Sequence, residues 1–304
     1  MKPQAFDPGL TTQFSGELRR AINHDGSFNV HRKGQRWDDS NLYLNLIDTT
    51  WLRFFTFVLL AFLAVNLIFA SAYVMLGPGH LQGAEPEMDA FANAFFFSVH
   101  TLTTVGYGNV FPRGTWANLL SAIEAATGLM IFAIFTGLLY GRFSRPTARI
   151  VFSDQALIAP YQDGTSLQFR VANARDNVLM DLEARVLLMT VDTSDGELKR
   201  NYFDLNLERR RVYFFPLTWT IVHPIDSESP LYRKTREDLA NTAAEVLILV
   251  QGFDDTFSQT VHARYSYRHD EIVWGAKFVP AFSVDRNGDL ILEVDRINES
   301  RVVS

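Results

Sequence analysis

Two long apolar runs constrain the fold of this chain more than any other feature. The run 51–76 contains one charge, Arg53 near its start, and the run 116–140 is interrupted only by Glu124. A helix over the first run would be about 39 Å long at 1.5 Å per residue, enough to cross a hydrocarbon core of about 30 Å. The alternative is a buried core helix of a soluble protein, but such helices are usually shorter. The pattern predicts two transmembrane helices.

Basic residues indicate on which side of the membrane the termini lie. The segment between the two runs, 77–115, carries three carboxylates and a single basic residue, Arg113. Lysine and arginine side chains instead flank the outer ends of the runs, at Arg32, Lys33, Arg36, Arg53, Arg142, Arg145 and Arg149. The positive-inside rule therefore predicts that both termini are cytoplasmic.

A third apolar run, 90–102, lies between the two predicted spans. It is too short to cross a bilayer, so it predicts a re-entrant pore helix over 89–102 with Asp89 as its N-cap. Irregular backbone at membrane depth is tolerated only where protein or a water-filled cavity surrounds it. Because this helix leads directly into a glycine-containing segment, the arrangement predicts a pore.

The segment after the pore helix predicts a potassium selectivity filter, formed by Thr104, Val105, Gly106, Tyr107 and Gly108. A dehydrated potassium ion needs oxygen atoms to replace its water, and four copies of such a segment supply rings of backbone carbonyls. The two glycines tolerate backbone angles that other residues avoid. We expect K⁺ at Thr104, Val105, Gly106 and Tyr107, a homotetramer and no other cofactor. Gly-Tyr-Gly alone would equally fit an ordinary turn.

The C-terminal half has a different periodicity. Apolar residues alternate along 167–171 and 178–188, and the turn signals Asp163-Gly164 and Asn287-Gly288 separate such runs. The run 246–250 is continuously apolar, as expected of a strand buried on both faces. This pattern predicts a β-sandwich, with 228–244 as its best helical candidate.

Composition and motifs limit the function classes. The net charge of −6 argues against a broad nucleic-acid-binding surface, and the absence of cysteine excludes disulfides and zinc–thiolate sites. An enzyme or ligand-binding module in 148–304 is one alternative, but no P-loop, nucleophile elbow or dinucleotide fingerprint occurs. A subunit of a potassium uptake system is another, but it would normally repeat the pore motif within one chain.

Several segments together resemble the prokaryotic branch of the inward-rectifier potassium channel family. They are 96–99, the filter 104–108, 124–128, 138–146 and 259–264. The resemblance implies a homotetramer in the prokaryotic inner membrane, with a two-span pore domain and an immunoglobulin-like cytoplasmic sandwich. The implied divisions are a cytoplasmic segment 1–36, a slide helix 37–50, a pore domain 51–147 with inner helix 115–142, and a sandwich 148–304.

The stretch 37–50 fits an amphipathic slide helix on its own pattern. Leu42 and Leu46 share one face, with Ile47 beside them, and Trp37 and Trp51 suit the headgroup level. A short soluble amphipathic helix is the alternative.

The resemblance also assigns residues to the gate and the cavity. Gly128 and Gly137 become candidate bending points, and Tyr140 lies at the helix-bundle crossing, where an apolar ring closes a pore by dewetting. Simple helix packing at small residues is the alternative. Phe132 occupies the rectification position, where strong rectifiers place a carboxylate. We therefore expect Mg²⁺ and polyamine blockers to act weakly there.

Two ionisable residues lie near the predicted filter. His100 stands where the family often has Glu or Gln, and Glu124 lies on the adjacent inner helix. Ionisable groups at membrane depth are costly unless they are paired or hydrated. One hypothesis is that His100 contacts Glu124 or groups supporting the filter; the other is a neutral structural histidine.

The resemblance assigns two further sites on the cytoplasmic side. Arg142, Arg145 and Arg149 match part of a basic cluster that contacts anionic phospholipids in the family, at roughly 1 kcal/mol per basic group. A tight loop near the four-fold axis contains Gly252, Asp254 and Asp255, whose carboxylates would add negative potential to the ion pathway. A plain hairpin with solvated carboxylates is the alternative for that loop.

Overall fold

The computed structural model describes residues 8–10, 13–14, 19–31, 33–34, 42–84, 88–144, 149–192 and 198–303. The chain divides into two compact units. One comprises Lys33–Arg145, and the other combines Met1–Arg32 with Pro146–Ser304.

Four of the five α-helices of the described residues lie in the unit Lys33–Arg145, and the fifth lies in the other unit. They are α1 (Leu42–Asp48), α2 (Trp51–Leu76), α3 (Ala90–Leu102), α4 (Thr115–Phe143) and α5 (Arg236–Asn241), with 3₁₀ turns at His269–Glu271 and Val294–Asn298. Predicted slide-helix residues before Leu42 lie outside the described part of the chain.

The strands concentrate in the unit that contains the C-terminal half. They are β1 (Gln13–Phe14), β2 (Leu81–Gln82), β3 (Phe111–Pro112), β4 (Ile150–Phe152), β5 (Ala156–Tyr161), β6 (Gly164–Asn173), β7 (Leu179–Asp192), β8 (Leu198–Asp204), β9 (Arg211–Phe214), β10 (Trp219–Ile225), β11 (Glu245–Asp254), β12 (Gln259–Arg268), β13 (Ile272–Trp274), β14 (Ala276–Phe278), β15 (Phe282–Val284), β16 (Leu290–Leu292) and β17 (Ser300–Val302).

Helices α2 and α4 are both long and apolar enough to cross a bilayer. Within the single chain most of their side chains are exposed, including Leu52, Ile68 and Met75 on α2 and Ile134 on α4. A core helix of a soluble protein would bury such residues. The exposure therefore favours transmembrane helices over the soluble alternative.

The ends of α3 and α5 follow from their capping residues. The carboxylate of Asp89 accepts a hydrogen bond from the backbone N–H of Ala92 at 2.6 Å, so the predicted N-cap is confirmed. Thr235 and Asp238 form a reciprocal capping box that begins α5. The prediction of one helix over 228–244 is wrong, because turns occupy the residues before this box and β11 begins at Glu245.

Two sheets pack face to face in the larger unit. One has the order β1-β8-β7-β11-β12 with β9 beside β7, and the other has the order β10-β6-β5-β13 with β4 beside β6. Every pairing in them is antiparallel except β5 with β13. Buried residues from both sheets, such as Phe169, Ile221, Leu182 and Ile248, form one core. The predicted β-sandwich is thus observed.

Strand β7 departs from the predicted alternation. Leu182, Ala184, Val186 and Leu188 are buried as expected, whereas Val178 is exposed and Leu179 is buried. The register between β7 and β11 shifts at this point, and Asp181 adopts φ +55°. An extra residue in β7 forms a β-bulge that reverses which side chains face the core.

Candidate functional site

The filter segment has a backbone in which the sign of φ alternates. Thr104, Gly106 and Gly108 have φ values of +61°, +58° and +78°, and neither Val105 nor Tyr107 has a positive φ. Alternating left- and right-handed residues turn successive peptide groups towards the same side, as a ring of carbonyl ligands requires. The two glycines adopt such angles without strain, but a β-branched threonine there is an outlier. The sequence predicted Thr104 as a filter residue and glycine at 106 and 108, but it did not predict the left-handed conformation of Thr104.

The C-terminal end of α3 holds the start of this segment. The carbonyl of His100 accepts hydrogen bonds from the N–H groups of Val105 at 3.0 Å and of Gly106 at 3.3 Å. The carbonyl of Thr101 accepts from the N–H of Thr104 at 3.1 Å. The pore helix and the filter are therefore one hydrogen-bonded unit.

The side chain of His100 packs on the filter and not on Glu124. Its ring meets the Tyr107 ring edge-on, with centroids 4.8 Å apart. Glu124 is fully buried; one of its carboxyl oxygens accepts a hydrogen bond from Tyr73 at 2.7 Å, and the other is in hydrogen-bond contact with Ser98. The hypothesis of a His100–Glu124 contact is therefore wrong, and the alternative contact with the filter is observed.

The inner-helix residues assigned to the gate and cavity differ in their surroundings. Gly128 is buried, and a Cβ atom there would overlap the carbonyl oxygen of Leu102. Gly137 has no neighbour within 4 Å of a Cβ position. Tyr140 and Phe132 are exposed in the single chain. At Gly128 the helix-packing alternative is therefore the one observed.

An apolar groove runs between α2 and α4 next to the filter. Its volume is about 1060 Å³, and it reaches from Thr104 past Gly128 and Phe132 to Leu138. Phe132 contributes a ring and no charge to this groove, as the sequence indicated.

Arg142 does not present a free cation. Its guanidinium donates hydrogen bonds to the carbonyls of Leu46 at 2.6 Å, Ile47 at 2.9 Å and Thr49 at 2.8 Å. It also lies over the rings of Trp51 and Phe54, at 4.4 and 4.7 Å.

The lipid-contact prediction is therefore corrected for Arg142, because this side chain caps the C-terminal end of α1. Arg145 lies outside the described residues. Arg149 is described and exposed.

The loop that the resemblance places near the four-fold axis contains the four-residue turn between β11 and β12. Asp254 is fully buried, and its carboxylate accepts hydrogen bonds from Asn177 at 2.8 Å and from the N–H groups of Thr256 and Phe257. The hairpin itself thus uses the carboxylate of Asp254, and the contribution of Asp254 to the ion pathway stays a prediction. Asp255 is exposed, and Gly252 is buried against Leu182.

One histidine of the sandwich, His223, is held by structural hydrogen bonds. Burial lowers the pKa of His223, whose Nδ1 donates to the Asn206 carbonyl at 2.6 Å and whose Nε2 accepts from Ser229 at 2.8 Å. Among the residues that the structure describes, no group of three His, Cys, Asp or Glu side chains has the arrangement of a metal site.

Both halves of the chain match known protein families. A family model for the inward rectifier potassium channel C-terminal domain matches residues 150–304, and an ion channel model matches residues 60–145. The chain is 37% identical over 303 residues to the inward rectifier potassium channel Kirbac3.1 of Paramagnetospirillum magnetotacticum, covering 98% of each chain.

More distant relatives also match over most of this chain. The chain is 27% identical over 308 residues to the human G protein-activated inward rectifier potassium channel 2, covering 92% of this chain and 71% of that one. The mouse counterpart matches at the same identity and covers 70% of that protein's length. With a two-span unit that contains the Thr-Val-Gly-Tyr-Gly segment and a β-sandwich after it, this chain belongs to the inward rectifier potassium channel family.

Proposed function

We propose that four copies of this chain form a potassium-selective pore whose selectivity filter is Thr104–Gly108. The alternation of φ through these residues carries the proposal, because it gives successive carbonyls the common direction that a cation site needs. The ions bind between the carbonyls of Thr104, Val105, Gly106 and Tyr107. One chain supplies a quarter of each ring, so the pore is a homotetramer.

The pore helix adds to the attraction for a cation. Helix α3 ends at Leu102, directly before the filter, and its C-terminal end carries the negative end of the helix dipole. Conduction is passive, and K⁺ is the transported ion; no cofactor is proposed. The function is transport and not catalysis.

The proposed topology places α2 and α4 across the prokaryotic inner membrane with both termini in the cytoplasm. The support is the distribution of Lys and Arg, which are concentrated outside the segment 77–115. The sandwich that follows α4 is then cytoplasmic.

The proposed gate is the ring of four Tyr140 side chains at the end of the inner helix. Gly137, which has open space around it, is the proposed bending point, whereas Gly128 serves packing. A second constriction lies at the turn that contains Asp255, close to Gly252. Because Phe132 carries no charge, Mg²⁺ and polyamines block weakly in the cavity.

Anionic phospholipids are the proposed modulators. Arg149 is exposed, and Arg145 follows the inner helix in the sequence. Each such group contributes about 1 kcal/mol of attraction to an anionic surface.

Flux in liposomes tests the pore proposal. Purified protein in vesicles with and without anionic lipid should accumulate Rb⁺ and exclude Na⁺, and cross-linking should give a tetramer. Gly106→Ala should abolish the preference for Rb⁺, since φ at this position is +58°.

Gly164→Ala is the matched control, because Gly164 has a negative φ and open space in the sandwich. Equal passage of Na⁺ and Rb⁺ through the unmodified protein, or a monomer in the membrane, would rule out the proposal.

A further inference from the structure

Four polar side chains from three helices meet inside the pore unit. Asn66 and Tyr73 come from α2, Ser98 from α3 and Glu124 from α4. None of the four exposes more than 1% of its surface. Within the described residues no ion pair joins Glu124 to a basic side chain. A buried carboxylate without a cationic partner is costly in this environment.

The contacts form a chain of three oxygen–oxygen pairs. Tyr73 Oη lies 2.7 Å from one oxygen of Glu124, and the other oxygen of Glu124 is in hydrogen-bond contact with Ser98 Oγ. Ser98 Oγ also lies 3.0 Å from Oδ1 of Asn66. Each pair requires one proton between its oxygens, so the three contacts together require three protons.

The side chains other than Glu124 supply only two of these protons. Tyr73 has one hydroxyl proton, Ser98 has one, and the amide of Asn66 faces Ser98 with its oxygen. Its orientation is fixed because Asn66 Nδ2 donates to the carbonyl of Phe62 at 2.7 Å. If Ser98 donates to Asn66, the remaining contact needs a proton on Glu124.

We propose that Glu124 is a neutral carboxylic acid that donates its proton to Ser98 and accepts from Tyr73, and that it is a positioning residue for the pore helix. The proposal rests on the proposed function and adds to it a residue that determines selectivity without touching the ion. A neutral acid joins three helices and adds no fixed charge behind the filter.

The geometry connects this acid to the filter. Glu124 and Gly128 are four residues apart on α4, and they meet Ser98 and Leu102, which are four residues apart on α3. In each helix, the two residues therefore lie on the same face. Between Ser98 and Leu102, the carbonyl of His100 holds the N–H groups of Val105 and Gly106. Displacing α3 from α4 therefore moves the hydrogen bonds that hold the filter.

Two variants separate a neutral acid from a carboxylate. Glu124→Gln retains both hydrogen bonds of a neutral acid, because its amide donates to Ser98 and its oxygen accepts from Tyr73. Glu124→Leu removes both. We expect Glu124→Gln to keep tetramer stability and the preference for Rb⁺ over Na⁺, and Glu124→Leu to lose roughly tenfold of that preference.

Infrared spectroscopy of the full-length tetramer detects directly whether the carboxyl group of Glu124 is protonated. At neutral pH the wild-type protein should show the carbonyl stretch of a protonated carboxylic acid, and Glu124→Gln should lack it. This readout does not depend on conduction, so it separates failure of this inference from failure of the pore proposal. Absence of the band from the wild type, or a Glu124→Gln variant as impaired as Glu124→Leu, would overturn the proposal.

Ser98→Ala provides a second route if Glu124→Leu does not assemble. It removes the acceptor for the proton of Glu124, and we expect a reduced preference for Rb⁺. Ser71→Ala is the matched control, because within the described part of the chain the Ser71 hydroxyl bonds the Leu67 carbonyl of its own helix and no residue of another helix. An unchanged preference in Ser98→Ala would contradict the positioning role.

Discussion

Gly128 of the inner helix lies against the carbonyl oxygen of Leu102, at a separation that leaves no space for a Cβ atom. Leu102 is the last residue of the pore helix, directly before the threonines that lead into the filter. The glycine therefore determines how closely the two helices approach. Its role as a bending point is not needed to explain why glycine occupies this position.

Replacing this glycine should disturb the filter. Gly128→Ala must shift the end of α3 or the backbone of α4, at a cost of about 1–3 kcal/mol for overpacking. We expect a less heat-resistant tetramer and reduced Rb⁺ uptake. Gly137→Ala is the matched control for assembly, because nothing lies within 4 Å of its Cβ position. Equal tetramer stability in the two variants would contradict this interpretation.

Removing the guanidinium of Arg142 should release α1. Arg142→Gln loses the three hydrogen bonds to the carbonyls of residues 46, 47 and 49 and the stacking on Trp51. Each hydrogen bond from a charged donor contributes about 1.5–3 kcal/mol to stability. We expect faster amide hydrogen exchange in 42–50.

Arg142→Lys should recover only part of the protection, because an ammonium group lacks the planar fork. Arg149→Gln serves as the control, and equal exchange in it and in Arg142→Gln would refute the prediction.

A carboxylate at position 132 should introduce block by cations. Phe132 is exposed in the single chain and lines the groove next to Thr104. We expect Phe132→Asp to show strong voltage-dependent block by spermine, and the wild-type channel to show weak block, because a polyamine gains a charge partner in a medium of low dielectric constant. Strong block of the wild type that cavity substitutions do not change would contradict this prediction.

The two neighbouring aspartates of the β11–β12 turn should behave differently. In Asp254→Asn one carboxylate oxygen becomes an N–H₂ group. That group either faces the N–H₂ of Asn177 or replaces the acceptor for the N–H groups of Thr256 and Phe257. We expect a loss of about 1–3 kcal/mol in unfolding free energy. Asp255→Asn should leave stability within about 0.5 kcal/mol of the wild type. Thermal denaturation of the full-length protein in detergent measures both. Similar midpoints for the two variants would show that Asp254 is not needed by the hairpin.

The sandwich should lose stability in mild acid through His223. Burial lowers the pKa of this ring from its ordinary value of 6.5, so the folded domain keeps it neutral while the unfolded chain takes up a proton. The free energy of unfolding therefore does not depend on protonation of His223 well above pH 6.5. As the pH falls below that value, the free energy of unfolding declines by at most about 1.4 kcal/mol per pH unit. His223→Gln should flatten this part of the pH–stability profile. An equally steep decline in the variant would assign the effect to other groups.

Much of the fold followed from local pattern. The apolar runs, the N-cap at Asp89 and the continuous strand 246–250 depend on residues close in sequence, and their structures agree with the predictions. The bulge at Asp181 was missed because it depends on the register between β7 and β11, which no single strand encodes. The helical prediction over 228–244 failed because turns and a capping box restrict α5 to six residues.

The sequence predicted which residues form the candidate filter, but it did not predict which side chains hydrogen-bond to one another around it. The Thr-Val-Gly-Tyr-Gly segment has a local signature, whereas the partners of Glu124 come from helices 26 and 51 residues away in the chain. The resemblance assigned roles to Arg142 and Asp254, but their contacts depend on which carbonyls and amides the fold places nearby. A cation beside unpaired carbonyls at a helix end satisfies them before it reaches a lipid.

Arg142 makes the junction of α1 and α4 depend on one side chain. Its guanidinium bonds three carbonyls at the end of α1 and faces two aromatic rings at the start of α2. Because this side chain belongs to the last turn of α4, a rotation of that helix would pull on the end of α1. The same residue would therefore transmit movement of the inner helix to the short helix that precedes the first span.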